Sequence, residues 1–223
     1  MISKLSEKFA NRLFSDQNVT NEERELYVYG FYMILSHLIY LVLAFIFGLI
    51  FECVLESIIF YVAFQFIRRS AGGYHASTET RCQIISTLSI FVTVAFISVL
   101  RNFDLQTLFL IITIFSAVLI WGLCPLDTME KPLSKNETVY FRKKSRIILT
   151  IIFLIIVISY FLKFYFLFAP CCMSLILESI LLISGQIKKS IISPWFSIIL
   201  TISLTIFDWY DLNIVKKINR EYY

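Results

Sequence analysis

Charge is scarce in this chain of 223 residues: Asp, Glu, Lys and Arg make up 16% of it, against roughly 25% in ordinary soluble domains. Hydrophobic residues reach 58%, aromatics 17%, and the mean hydropathy is +0.78. So little polar material does not cover a soluble globule. Glycine and proline are also few, at six and four, which with the hydropathy excludes collagen-like, low-complexity and disordered classes. Cysteine is present in an odd number, at 53, 82, 124, 171 and 172 with no CxxC spacing. That argues against a zinc site or a disulfide framework, and no metal or cofactor is expected. HExxH, GxSxG, GxGxxG and P-loop patterns are missing, as is the internal repeat that marks many transporter halves. No secretory signal is read at the start, because the first long apolar run begins near Tyr29 behind a charged segment. A polytopic all-α membrane protein is what these absences leave.

Residues 2–14 place Ile2, Leu5, Phe9 and Leu13 on one stripe of a helix, with Lys4, Lys8 and Arg12 elsewhere on it. The pattern predicts an amphipathic helix, either lying at the membrane interface or solvated and packed on the rest of the chain. Apolar stretches follow at Tyr29–Phe51, Cys53–Ile67, Gln83–Leu100, Leu105–Leu123, Ile147–Phe168, Cys171–Ile187 and Ile191–Phe207. The first, at 23 residues, is ample for a hydrocarbon core of about 30 Å. The second carries Glu56 and Gln65, which suits a bundle-facing helix; in the fifth, Lys163 snorkels near the helix end. With a cytoplasmic N-terminus, 15 of the 20 Lys and Arg residues fall on the cytoplasmic side, as the positive-inside rule asks. Lys216, Lys217 and Arg220 do not fit if Ile191–Phe207 crosses fully, so the expectation is six or seven transmembrane helices in a cell membrane. The net charge of +4 reads as topology, and nucleic acid is not expected as a partner.

The richest polar cluster is Arg68–Cys82, RRSAGGYHASTETRC, with one of only two histidines. Cys and His are the minimum parts of a thiol nucleophile: the imidazole takes the proton and the thiolate attacks a carbonyl. Seven residues on one continuous helix would separate His75 and Cys82 by about 10.5 Å, too far for a shared hydrogen bond of about 3 Å. The pair therefore needs a break. Gly72-Gly73 supplies one, and Ser77 or Thr78 is a ready N-cap for the next helix. Cys82 then sits in or just after the first helical turn, where the helix dipole and Arg81 favour the thiolate. The bland alternative is a loop histidine beside an inert or palmitoylated juxtamembrane cysteine. Elsewhere, His37 lies mid-span and Cys171-Cys172 reads as packing. Glu56 and Glu178 are intramembrane carboxylates, suited to a proton-coupled carrier or to simple pairing.

The stretch SAGGYHASTETRC resembles the signature of the accessory gene regulator B (AgrB) family, membrane cysteine endopeptidases that mature quorum-sensing peptides. CPLDTMEKPLSKNE (Cys124–Glu137) is similar to that family's Pro-Asp…Lys-Pro loop, and the likeness covers roughly residues 1–187. It implies that His75 and Cys82 are catalytic, with Arg68 and Gly73 in supporting or substrate-binding roles. The implied substrate is an AgrD-like propeptide with an amphipathic leader, a short signal region and an acidic C-terminal tail. A Cys82 thioester would form as the tail leaves, and an internal Cys or Ser of the substrate would close a thiolactone or lactone. The resemblance also suggests a homodimer. One membrane domain spans 1–223: an N-terminal segment 1–28, a transmembrane core 29–187 with the catalytic segment 68–82 on the cytoplasmic side, and an extension 188–223. Glu79, Gln65 and Glu56 are the nearest choices for a third catalytic group. Basic clusters at Arg68-Arg69 and Arg142-Lys143-Lys144 would attract an acidic tail. The competing reading is a non-enzymatic permease or exporter of small peptides using Glu56, Lys163 and Glu178; a membrane scaffold is a third.

Overall fold

A computed structural model of the chain describes residues 2–13, 20–74, 78–101, 105–126 and 134–190. The described residues form seven helices: α1 (Ile2–Leu13), α2 (Asn21–Ile50), α3 (Val54–Ala71), α4 (Glu79–Leu100), α5 (Gln106–Leu123), α6 (Lys135–Phe161) and α7 (Tyr165–Ser190). The protein is all-α. Five of the helices, α2, α4, α5, α6 and α7, are long and apolar enough to cross a membrane. The 18-residue α3 matches α5 in length but carries Glu56, Arg68 and Arg69.

Polarity along α3 makes sense from its position. Buried residues form two clusters, one including Ile67, Ile120, Leu149, Ile156 and Leu182, the other including Phe60, Val94, Ile97 and Met173. Helices α3 and α7 contribute to both, so they stand at the centre and the others wrap them. In α7, 61% of the apolar window is buried, against 17–28% in the other four candidate spans. Central helices can carry charge because their polar groups face protein rather than lipid.

Helix ends are set locally. Thr20 and Ser134 cap α2 and α6 as capping boxes with Glu23 and Glu137. At the other end of α2, Cys53 N–H donates to Gly48 O at 2.8 Å while Glu52 turns left-handed (φ 55°). Helix α6 ends the same way: Phe164 N–H donates to Ser159 O at 2.9 Å, with Lys163 at φ 58°. Both are Schellman closures in which a charged residue takes the place usual for glycine. The expected span Ile147–Phe168 is thereby corrected: the chain reverses at Leu162–Lys163, and Phe164–Phe168 belongs to the next hairpin arm. Hydropathy misses the reversal because LKFYFLF keeps its apolar character through the turn.

The N-terminal helix lies along α2. Asn11 Oδ1 accepts from Arg24 Nη2 at 2.7 Å, and the Phe9 and Phe31 rings stack with centroids 6.2 Å apart. Ser6 and Ala10 are fully buried, whereas Leu5 and Phe9 stay roughly half exposed. Small residues face the protein and large apolar ones face outward. The seventh expected span, Ile191–Phe207, and the rest of the extension after Ser190 lie outside the described residues.

Candidate active site

Helix α3 stops where the sequence break was expected. Gly72 N–H closes the last turn on Arg68 O at 3.2 Å, and Gly72 and Gly73 then adopt φ of +79° and +121°. The chain leaves extended and is clamped from two sides. Leu126 N–H, just past α5, donates to Ala71 O at 2.9 Å, and Tyr74 N–H donates to Leu181 O on α7 at 2.9 Å.

Arg68 completes the clamp from within. Its Nη1 donates to Gly72 O and its Nη2 to Tyr74 O, so one planar guanidinium bridges both ends of the turn. Behind it, Glu178 Oε1 on α7 lies 3.8 Å from Nη1, with the Glu178 side chain 0% exposed. Neither Glu178 oxygen has a hydrogen-bond partner among the described residues, which leaves the guanidinium as its counter-charge. A Cβ on Gly73 would run into that guanidinium. Gly185 serves the other wall, since a Cβ there would come within 2.9 Å of Tyr74 N.

His75 lies outside the described residues, with Ala76 and Ser77. The chain returns at Thr78, the N-cap of α4, whose Oγ1 accepts from Arg81 N–H at 3.4 Å. Cys82 is the fourth helical residue and its N–H closes the first turn on Thr78 O at 3.0 Å. Cys82 is partly exposed, whereas Cys53, Cys124, Cys171 and Cys172 are all buried. Burial, reinforced by the Glu178 carboxylate, pushes the Cys124 thiol up to about 12. It also pushes the Cys53 thiol up, with Glu56 adding to the effect.

Two tyrosines on α2 had escaped the sequence reading. The Tyr32 hydroxyl lies near Ser36, Glu79, Cys82 and Gln83, and the Tyr40 hydroxyl lies near Ser86 and Cys82. Periodicity gives no signal for this, because α2 is apolar nearly all round. Of the three acceptors considered for His75, Glu79 takes a hydrogen bond from Gln83 at 3.0 Å. Gln65 donates to the Tyr61 hydroxyl at 3.0 Å. Glu56 belongs to the far end of the bundle, about 18 Å along α3 from Arg68, and pairs with Arg101 at 3.3 Å. It stands at the opposite end of α3 from the glycine turn.

The carrier reading loses its pathway in the same way. Glu56 and Lys163 line a cavity of about 630 Å³ at that far end, whereas Glu178 is sealed beside Arg68 at the opposite one. Among the described residues, the three do not share a cavity.

The architecture so far defines a helical membrane protein with a partly exposed thiol in the first turn of α4 and, earlier in the chain, a charge-clamped glycine turn at the end of α3. The sequence model of the accessory gene regulator B family matches residues 6–183, and the chain belongs to that family. An AgrB-like protein of Clostridium perfringens strain SM101 is 28% identical over 191 residues, covering 83% of this chain and 89% of the relative. A second AgrB-like protein, from strain 13 of that species, is 27% identical over 171 residues, covering 74% of this chain and 79% of the relative. No solved structure matches the chain. Membership ties the protein to processing of the agr quorum-sensing propeptide at the membrane.

Proposed function

We propose that the protein is a cysteine endopeptidase that removes the acidic C-terminal tail of an AgrD-like propeptide, with Cys82 as nucleophile and His75 as general base. The observation that carries this reading is the frame around the 75–77 segment. On one side the turn 72–74 is fixed by Arg68, Leu126 and Leu181; on the other Cys82 sits on a Thr78-capped helix start, the least buried of the five thiols.

The steps follow from that frame. His75 takes the Cys82 proton, and the thiolate attacks the carbonyl at the end of the signal region. First-turn N–H groups of α4 are the nearest donors for the developing oxyanion. His75 then gives its proton to the departing tail amine, leaving the peptide as a thioester on Cys82. An internal thiol or hydroxyl of the substrate displaces Cys82, forming a thiolactone or lactone. The second exchange keeps the bond type when the nucleophile is a thiol. The first converts an amide to a thioester and runs uphill, so it needs the tail removed and water kept from the acyl-enzyme.

Arg68 and Glu178 act as positioning residues in this scheme, and Gly73 grants the guanidinium its place. Six crossings, α2 to α7, with the Cys82 end cytoplasmic, fit the charge distribution: of the described Lys and Arg residues, only Arg101 and Lys163 lie at the opposite end. The organisation as one membrane domain (1–28, 29–187, 188–223) and assembly as a homodimer belong to the same proposal. The test is tail release from a propeptide in proteoliposomes. Wild type releases the tail, and Cys82→Ser and His75→Ala abolish release while membrane expression persists. Tail release by Cys82→Ser would remove the nucleophile from the scheme.

A further inference from the structure

The basic run at the start of α6 does not act as one patch. Lys144 turns away and sits over the Tyr140 ring, 5.8 Å from its centroid. Arg142, Lys143 and Arg146 instead line a crevice of about 530 Å³ between α5 and α6, together with Trp121, Ile147 and Ile151. Arg142 and Arg146 are one helical turn apart and so share a face. The Arg146 guanidinium stacks on Trp121 at 4.6 Å from the ring centroid, and its Nε is buried with no hydrogen-bond partner among the described residues. No described carboxylate forms an ion pair with any of the three cations.

A buried donor without an acceptor is costly, so this group asks for an acceptor from outside the described chain. What lies beneath the cations narrows the choice. Ile147 and Ile151 are 52% and 53% exposed and continue the wall along α6 into its apolar stretch. Trp121 is near the end of α5, whose following residue Leu126 meets the turn after α3. The crevice therefore opens at the same end of the bundle as Cys82, where polar and apolar zones meet. A phosphate above and hydrocarbon below is the chemistry that fills both halves. An acidic peptide would meet the cations but leave the isoleucine wall bare.

We propose that this crevice is a binding site for an anionic phospholipid, its phosphate held by Arg142, Lys143 and Arg146 and an acyl chain lying on Ile147 and Ile151. This goes beyond the protease reading and does not depend on it. Cations near an anionic lipid surface each contribute about fivefold in binding. We expect a preference on the order of tenfold for anionic over zwitterionic lipid at this site, smaller than the product because the surrounding lipids compete.

Trp121 reports on the site directly. The full chain has three tryptophans, at 121, 195 and 209, so Trp195→Phe/Trp209→Phe isolates it. This protein is reconstituted in phosphatidylcholine vesicles containing increasing fractions of brominated phosphatidylglycerol, with brominated phosphatidylcholine as the reference series. The proposal predicts half-maximal quenching at a markedly lower fraction of the anionic lipid. Arg142→Gln/Lys143→Gln, which leaves the Arg146–Trp121 stack in place, should abolish most of that difference, and Lys144→Gln should preserve it. An unchanged reference series shows that each variant is folded. Equal quenching by both lipids, or a preference that survives the double variant, overturns the proposal. Release of the quench by millimolar inorganic phosphate would assign a free-phosphate site instead. Release by a soluble oligoglutamate peptide would give the crevice to an acidic peptide; either also overturns it.

Discussion

Removing the charge pair behind the glycine turn separates holding the fold from holding the site. Arg68→Met strands the Glu178 carboxylate, which is 0% exposed, and breaking a buried pair from one side costs about 3–5 kcal/mol. Glu178→Leu strands the guanidinium, at a smaller cost because the Arg68 side chain keeps 18% exposure. Replacing both, Arg68→Met/Glu178→Leu, removes both desolvation penalties and should leave the double variant more stable than Arg68→Met. The turn, however, loses the bonds from Nη1 and Nη2 to Gly72 O and Tyr74 O. Each is charge-assisted and contributes about 1.5–3 kcal/mol. The backbone bonds from Gly72, Leu126 and Tyr74 then hold the segment, at about 1 kcal/mol each. A displacement of 1 Å at a reacting group lowers rate by about a hundredfold. The double variant should therefore unfold in detergent at a higher temperature than Arg68→Met yet release propeptide tail at least about a hundredfold more slowly than wild type. Arg68→Lys should also be slow, because an ammonium does not bridge two carbonyls in one plane. Wild-type tail release by the double variant would refute the positioning argument, whatever its stability.

Other outcomes follow from the same contacts. Iodoacetamide at about pH 8 should label one thiol per native chain, Cys82, with the four buried cysteines reacting only in denaturant; mass mapping reads the sites. The Cys124 thiol is raised in the folded state from its ordinary value of 9.0 to about 12. Its contribution to stability is thus full below about pH 9 and is lost as pH rises from there towards 12, which a pH series of thermal midpoints compared with Cys124→Ala would show. Gly73→Ala, forcing a Cβ into the Arg68 guanidinium at φ +121°, should cost about 1–3 kcal/mol and abolish tail release. Lys163→Gly should raise stability by up to about 1 kcal/mol, since the residue sits at φ 58° in a turn that suits glycine. No change, or a loss, would mean the lysine side chain holds that turn.

Local chemistry was the legible part of the sequence. Two adjacent glycines ended α3, and a threonine N-cap started α4, because each signal acts within a few residues. The α6–α7 reversal was hidden, since Leu162-Lys163 closes a Schellman turn without glycine inside an unbroken apolar run. Hydropathy also registers membrane affinity but not which helix is central. Helix α3 scores poorly because of Glu56, Arg68 and Arg69, yet it lies between both clusters of buried side chains. The Arg68–Glu178 contact joins residues 110 positions apart, and the two tyrosines near Cys82 come from a helix apolar nearly all round. Such pairings depend on helix rotation and neighbour choice, which no local pattern encodes.

The central claim is covalent, and intact-mass spectrometry of the full-length protein in liposomes tests it most directly. Incubated with an AgrD-like propeptide, wild type should gain the mass of the peptide minus its tail, as a hydroxylamine-labile adduct mapping to Cys82. Cys82→Ala should gain nothing. Tail release with no adduct in wild type, even on rapid acid quenching, or an adduct that persists in Cys82→Ala, would contradict the account.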